Sequence, residues 1–251
     1  GHDLPLCTLS VSRDGRWFAS GAEDGTIILW DASTGHIIHQ WLAHETAIEL
    51  LEFSPLRPRL LSLGRDHKMM VWDVGNGHHQ LVWDAGWSSD LRVVAKFSPA
   101  ADLLMVASDD VIQLWDTSTA TGDDPPPKLT LLGHTGMIKT ACFSPDGRYI
   151  ASGSFDHTVR LWRTSDGSCL DVFSGHDGPV ELVRFTTDGR RLVAGGGDGS
   201  VLLYHLRDYP PGPEDGSVRA LGRIGDSAEE EQEGGRQETA RQTEPEEGRE
   251  G

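Results

Sequence analysis

Apolar and polar positions alternate on either side of two tight turns in HTGMIKTACFSPDGRYIASGSFDHTVRLW, residues 134–162. A period of two is the mark of half-buried strands. Ile150 and Ser152 belong to one such run, Val159 and Leu161 to the next. Asp146-Gly147 supplies the first turn, since Asp-Gly readily takes the backbone angles that a hairpin needs. A second turn carries Asp156, and Trp162 closes the segment. The pattern predicts three short antiparallel strands, with SCLDVF as a fourth that leads into a further copy of the same unit.

The unit recurs. Closing aromatics stand at Trp30, Trp72, Trp115, Trp162 and Tyr204, at spacings of 42, 43, 47 and 42 residues. A His lies 28 residues before the aromatic in four copies: His2, His44, His134 and His176. An Asp lies six before it in all five: Asp24, Asp66, Asp109, Asp156 and Asp198. The third copy is irregular, with Trp87 at the His position. Its Phe97 stands 18 residues before the closing Trp, where the other copies have 19. A one-residue slip would turn every side chain of a strand to the wrong face, so this copy needs a compensating bulge or a shorter turn. The long spacing before the fourth closing Trp is accounted for by TATGDDPPPK, whose three consecutive prolines cannot donate to a ladder and predict an extended surface loop.

A repeat of this length, opening on Gly-His and closing on Trp-Asp, resembles the WD-repeat β-propeller family. The resemblance implies an all-β fold of four-stranded antiparallel blades, five of them visible, in an incomplete or open propeller. Blades are expected at about 1–42, 43–84, 85–131, 132–174 and 175–209, with 217–224 able to supply one last strand. The resemblance also implies a buried hydrogen-bonded set of His, Ser, Asp and Trp in each blade. By position these are His2, Ser20, Asp24 and Trp30; His44, Ser62, Asp66 and Trp72; and His134, Ser152, Asp156 and Trp162. The last blade offers His176, Asp198 and Tyr204 with Ala194 at the serine position. The third offers Asp109 and Trp115, with Met105 taken as its serine counterpart. Ser, His and Asp are also the residue types of a catalytic triad. An active site occurs once, however, and these sets recur with the blades, so they are read as structural. No phosphate-cradling loop, nucleophile elbow or zinc-helix motif is present, and no catalytic residue, metal or cofactor is expected.

The family's channel mouth implies a partner surface. The residues one before each turn Asp are Glu23, Arg65, Ser108, Phe155 and Gly197, and Trp87 joins them as a large aromatic at a loop junction. Phe155 resembles the position where some family members hold a basic side chain, and aromatics near carboxylates suit cation–π contacts.

Charge sharpens the partner class. The chain of 251 residues carries a net −17, and both the repeats and the stretch after Pro210 are acidic. That argues against direct nucleic-acid binding and fits basic peptides or proteins. Three cysteines form no CxxC pair, which points to a reducing, intracellular compartment, cytoplasmic or nuclear. No apolar run is long enough to span a membrane. Residues 225–251 are mostly Glu, Gln, Gly and Arg and hold no aromatic, and predict a disordered acidic tail. The first residues, Gly1-His2, already open a repeat, so the chain reads as a fragment. The expected function is a non-catalytic interaction scaffold within a multiprotein complex. The alternative is the C-terminal sensor or substrate-recognition propeller of a larger signalling or ubiquitin-ligase protein. Ligase adaptors of the family carry Arg three residues after the closing Trp; here those positions hold Ser33, Gly75, Ser118 and Ser165, which weighs against that role. Oligomeric state is left open by the sequence.

Overall fold

A computed structural model of the chain describes residues 1–84, 93–117, 122–123, 125–206 and 220–223. The expected acidic tail and Trp87 lie outside the described residues.

Five sheets follow one another along the chain. Blade 1 comprises β1 (Leu6–Val11), β2 (Trp17–Ala22), β3 (Thr26–Asp31) and β4 (Ile37–Leu42). Blade 2 comprises β5 (Ile48–Phe53), β6 (Arg59–Gly64), β7 (Lys68–Asp73) and β8 (His79–Asp84). Blade 3 comprises β9 (Val94–Phe97), β10 (Leu103–Ser108) and β11 (Val111–Asp116), and its outer strand is β13 (Leu129–Leu131). The Pro-rich connection before β13 contributes a two-residue strand, β12 (Gly122–Asp123), which pairs in parallel with β8 on the outer edge of blade 2. Blade 4 comprises β14 (Ile138–Phe143), β15 (Tyr149–Ser154), β16 (Val159–Arg163) and β17 (Cys169–Phe173). Blade 5 comprises β18 (Val180–Phe185), β19 (Arg191–Gly196), β20 (Val201–His205) and β21 (Ala220–Arg223), the last paired antiparallel to β20. Within each blade the four main strands are antiparallel.

The first strands of successive blades are neighbours, so they line the inside of the arc and the fourth strands its rim. Antiparallel pairing fixes two ends. The turns joining second to third strands share one end, here the upper, with the connections into each first strand. The turns joining first to second strands share the lower end.

A sheet with two apolar faces must be covered on both, and neighbouring blades do this. The four hydrophobic clusters of the core each lie between adjacent blades. Ala19, Ile27 and Leu29 of blade 1 meet Ile48, Leu51 and Phe53 of blade 2. Leu61 and Val71 meet Ala95 and Leu104 across the next junction. Met105 and Leu114 then meet Ile138 and Ile150, and Val159 and Leu161 meet Val180 and Leu192. At about 25 cal/mol per Å2, burial of this apolar area is the main stabilising term.

Among the described residues, nothing gives the two terminal faces such cover. Leu6, Leu9 and Val11 are 55%, 60% and 64% exposed, although Ile48, Leu51 and Phe53, at the same places in blade 2, are buried. On blade 5, Leu182 is 59% exposed. The propeller is therefore an open arc.

The irregularity of blade 3 resolves into a shorter upper turn. Ala107 faces Ile112 in blade 3, whereas Gly153 faces Val159 in blade 4, so the second hairpin has lost one residue. The lower turn keeps its length: Leu103 N–H donates to Ser98 Oγ as Tyr149 N–H donates to Ser144 Oγ. Asp109 takes a left-handed φ of 55° to close the shortened turn, a conformation Asp tolerates better than most residues. Two expectations are corrected by this register. Val106, opposite Gln113, occupies the place of Ser152 opposite Arg160; Met105 does not. Ser108 ends β10 as Ser154 ends β15, so it is not the counterpart of Phe155.

Candidate functional site

The repeated set is assembled where the loop before a first strand meets the turn between second and third strands. In blade 4 the Trp162 indole N–H donates to Ser152 Oγ at 2.8 Å. Ser152 O–H in turn donates to His134 Nε2 at 2.7 Å. His134 Nδ1–H then donates to Asp156 at 2.7 Å. Blade 2 repeats the chain with Trp72, Ser62, His44 and Asp66, at 2.8, 2.8 and 2.9 Å. The carboxylates also accept backbone amides: Asp156 those of Thr135 and Thr158, Asp66 those of Glu45 and Lys68. Each carboxylate thereby pins the entry into a blade to the blade's own upper turn.

Electrostatics follow from burial. Desolvation lowers the pKa of His44 and His134 despite the carboxylates beside them, which keeps both imidazoles neutral and fixes the donor order just given. Burial alone would raise the Asp156 carboxyl, but the Thr158 hydroxyl, His134 and two amides outweigh it and hold it at about 2. Asp66 is lowered in the same way: burial would raise it, but His44 and the amides of Lys68 and Glu45 together outweigh it.

Blades 1 and 5 insert a hydroxyl. His2 Nδ1–H donates to Thr26 Oγ1 at 2.9 Å, which donates to Asp24 at 2.6 Å; Ser20 still joins His2 and Trp30 at 2.7 and 2.8 Å. In blade 5, His176 Nδ1 is 2.8 Å from Ser200 Oγ, whose hydroxyl donates to Asp198 at 2.6 Å. Ala194 brings no hydroxyl there, and His176 Nε2 and the Tyr204 hydroxyl are left buried without partners. Blade 3 has no such chain among the described residues. Val106 packs as an apolar side chain, and the Trp115 indole donates to the Pro125 carbonyl at 3.2 Å.

The Ser–His–Asp order in blades 2 and 4 has the distances of a catalytic triad. A nucleophile must also be reachable. Ser62 and Ser152 have no exposed surface, and each hydroxyl oxygen already accepts an indole N–H. The geometry stitches a blade together and leaves no room for a substrate.

The upper rim is the exposed counterpart. The amides of Glu23, Arg65, Phe155 and Gly197 donate to the carbonyls of Pro5, Ala47, Met137 and Pro179, at 3.1, 2.9, 2.9 and 2.7 Å. Each acceptor immediately precedes a first strand, so these four residues stand beside the inner strands at the channel mouth, and all four are exposed. Ser108 is buried, with its hydroxyl unpartnered, because the shortened turn draws it back into the sheet. Phe155 has a cation over it already: Lys139 Nζ is 4.7 Å from the ring centroid, and 3.3 Å from Glu181. That internal cation, two residues into the same blade's first strand, was not legible from spacing, because it depends on how the two side chains turn toward each other at the upper end of blade 4.

The family model described as "WD domain, G-beta repeat" matches residues 1–31, 126–163 and 167–205. Five sheets of the described residues share one plan with those segments. The chain belongs to the WD-repeat family. Among the similar WD-repeat proteins is the Periodic tryptophan protein 2 homolog of Dictyostelium discoideum, 24% identical over 64% of this chain and 17% of its own length. The Nuclear distribution protein PAC1 of Arthroderma benhamiae is 27% identical over 68% of this chain and 43% of its own. The Anaphase-promoting complex subunit cdc20 of Dictyostelium discoideum is 28% identical over 65% and 33%. The WD-repeat chain spans less than half the length of each of these relatives.

Proposed function

We propose that this WD-repeat chain is a non-catalytic scaffold that holds peptide or protein partners on its upper rim, within a multiprotein complex. The observation that carries the reading is the division of labour between buried and exposed groups. The residue types that could do chemistry are consumed inside the blades, while Glu23, Arg65, Phe155 and Gly197 stand open at the channel mouth. Glu23, Glu45, Glu49 and Glu181 gather on the same end, the last three paired with Lys68, Arg65 and Lys139; exchange of those cations for a partner's suits a basic segment. A partner's Lys or Arg would take the face of Phe155 in place of Lys139. The test is fluorescence anisotropy with labelled Lys/Arg-rich peptides. Phe155→Ala and Glu181→Lys are expected to weaken binding at least fivefold, and equal binding by all three proteins would sink the assignment.

The second reading, a recognition propeller at the C-terminal end of a larger signalling or ubiquitin-ligase protein, is favoured by one observation. The three relatives named above are each more than twice as long as the region matched, and one is by name a subunit of the anaphase-promoting complex. Mass spectrometry of the endogenous protein, detected with an antibody to this chain, separates the two. The compartment proposed is cytoplasmic or nuclear, consistent with the free thiols of Cys7, Cys142 and Cys169; fluorescence imaging of a tagged chain checks it. The division into a repeat domain, 1–209, and an acidic tail, 225–251, belongs to the same proposal, and limited proteolysis cutting within 207–251 supports it.

A further inference from the structure

The lower end of the arc has its own convergent site. The ends of the first strands enclose a cavity of about 510 Å3 that opens broadly to solvent. Ligand pockets typically span about 300–1,000 Å3. All five blades contribute to it, although nothing in any single repeat marks the place. Phe53, Phe97 and Phe143 form an aromatic lining from three successive blades. Arg13, Lys96 and Arg184 bring cations from blades 1, 3 and 5. Glu52, the carboxylate among the described residues of the lining, is already engaged: Lys96 pairs with it, and Phe97 N–H donates to it at 3.2 Å. Arg184 is held toward the cavity by donating to the Val183 carbonyl at 2.7 Å, and Arg13 and Arg184 have no carboxylate partner among the described residues. The lining therefore presents two uncompensated guanidinium groups around an apolar floor. Cys142 lies in the same wall, but its thiol donates to the Val183 carbonyl at 3.4 Å; burial pushes it up to about 11, so it is no nucleophile.

We propose that this cavity docks an acidic peptide segment of a protein partner, with one large apolar side chain against the three phenylalanines and flanking carboxylates on Arg13 and Arg184. Planar guanidinium groups suit carboxylates geometrically as well as in charge. The site is opposite in position and in charge preference to the acidic upper rim. One arc then holds two unlike partners at once, without competition.

The test uses the full chain and a fluorescein-labelled peptide, Glu-Glu-Leu-Phe-Glu-Glu, followed by anisotropy. Saturable binding is expected, weakening with added salt and at least tenfold weaker in the Arg13→Glu/Arg184→Glu double variant. Arg13→Glu alone guards against misfolding, because Arg13 is exposed and holds nothing in place; it should lose at least threefold with an unchanged circular-dichroism spectrum and melting temperature. Phe155→Ala should bind the acidic probe as the wild type does, and an unlabelled Lys-for-Glu peptide should not displace it. No saturable binding, or equal binding by wild type and both variants, overturns the proposal. So does displacement of the probe by a peptide of residues 225–251 at tenfold lower concentration than by the unlabelled probe itself, which would assign the cavity to this chain's own acidic segment. Self-association that the double variant abolishes would assign it to a second copy, with the same consequence.

Discussion

A single hydroxyl decides how firmly a blade is tied. Ser152 both accepts from Trp162 and donates to His134, so neither buried ring is left with an orphan polar atom. Ala194 removes that link in blade 5, and two polar atoms stand unpaired. Restoring it with Ala194→Ser should raise stability by about 1 kcal/mol, the net worth of a buried hydrogen bond, measured by urea denaturation. Asp156→Ala goes the other way, with an expected loss of about 1–3 kcal/mol from stranded buried donors. The same groups set the response to acid. His44 and His134 have folded-state pKa values below their ordinary range, so the unfolded chain binds protons first. Stability should fall as pH drops below about 6.5. Asp156, held at about 2 in the fold, stabilises above its ordinary 3.8 and loses that contribution as pH falls from about 4 toward 2. Thermal melts from pH 8 to 3 should show both losses, and Asp156→Ala should flatten the lower one. The members of the sets in blades 1, 2 and 4 were legible by counting back from each Trp. The hydroxyls of Thr26 and Ser200 were not, because their place between ring and carboxylate depends on side-chain rotation rather than spacing.

At the scale of the element, turn length governs which residues face out. Losing one residue from the upper turn of blade 3 shifted the whole assignment there: Val106 replaced Met105 at the serine place, and Ser108 withdrew from the rim. Sequence counting detected the missing residue at Phe97 but could not say which turn had absorbed it, since either would restore register. The upper turn of blade 1 makes a complementary case. Gly25 has φ of +80°, and a Cβ there would sit 2.0 Å from the His44 carbonyl oxygen at the junction with blade 2. Gly15 has a similar φ of +70° with open space around it. Gly25→Ala should therefore cost about 2 kcal/mol or more, and Gly15→Ala about 1, the latter from backbone conformation alone. Equal losses for the two, in chemical denaturation, would show that the junction does not press on Gly25.

For the whole molecule, the open faces of blades 1 and 5 are the dominant liability. Exposed edges and apolar faces invite pairing with further chains. Light scattering of the isolated chain should show mass rising with concentration, and Leu9→Lys/Val11→Lys should suppress that rise without loss of secondary structure, because both side chains are more than half exposed.

The sequence by itself determined the repeat, the strand period, the recurrent polar sets and the acidic balance, because each is local or recurs at fixed spacing, and local order survives in the letters. Only the tertiary structure decided which turn of blade 3 is short, that Lys139 lies over Phe155, and that Arg13, Lys96 and Arg184 converge on one cavity. The first two are settled inside a blade, by turn geometry and side-chain direction, and the third by how neighbouring sheets pack; no spacing within a single repeat encodes any of them.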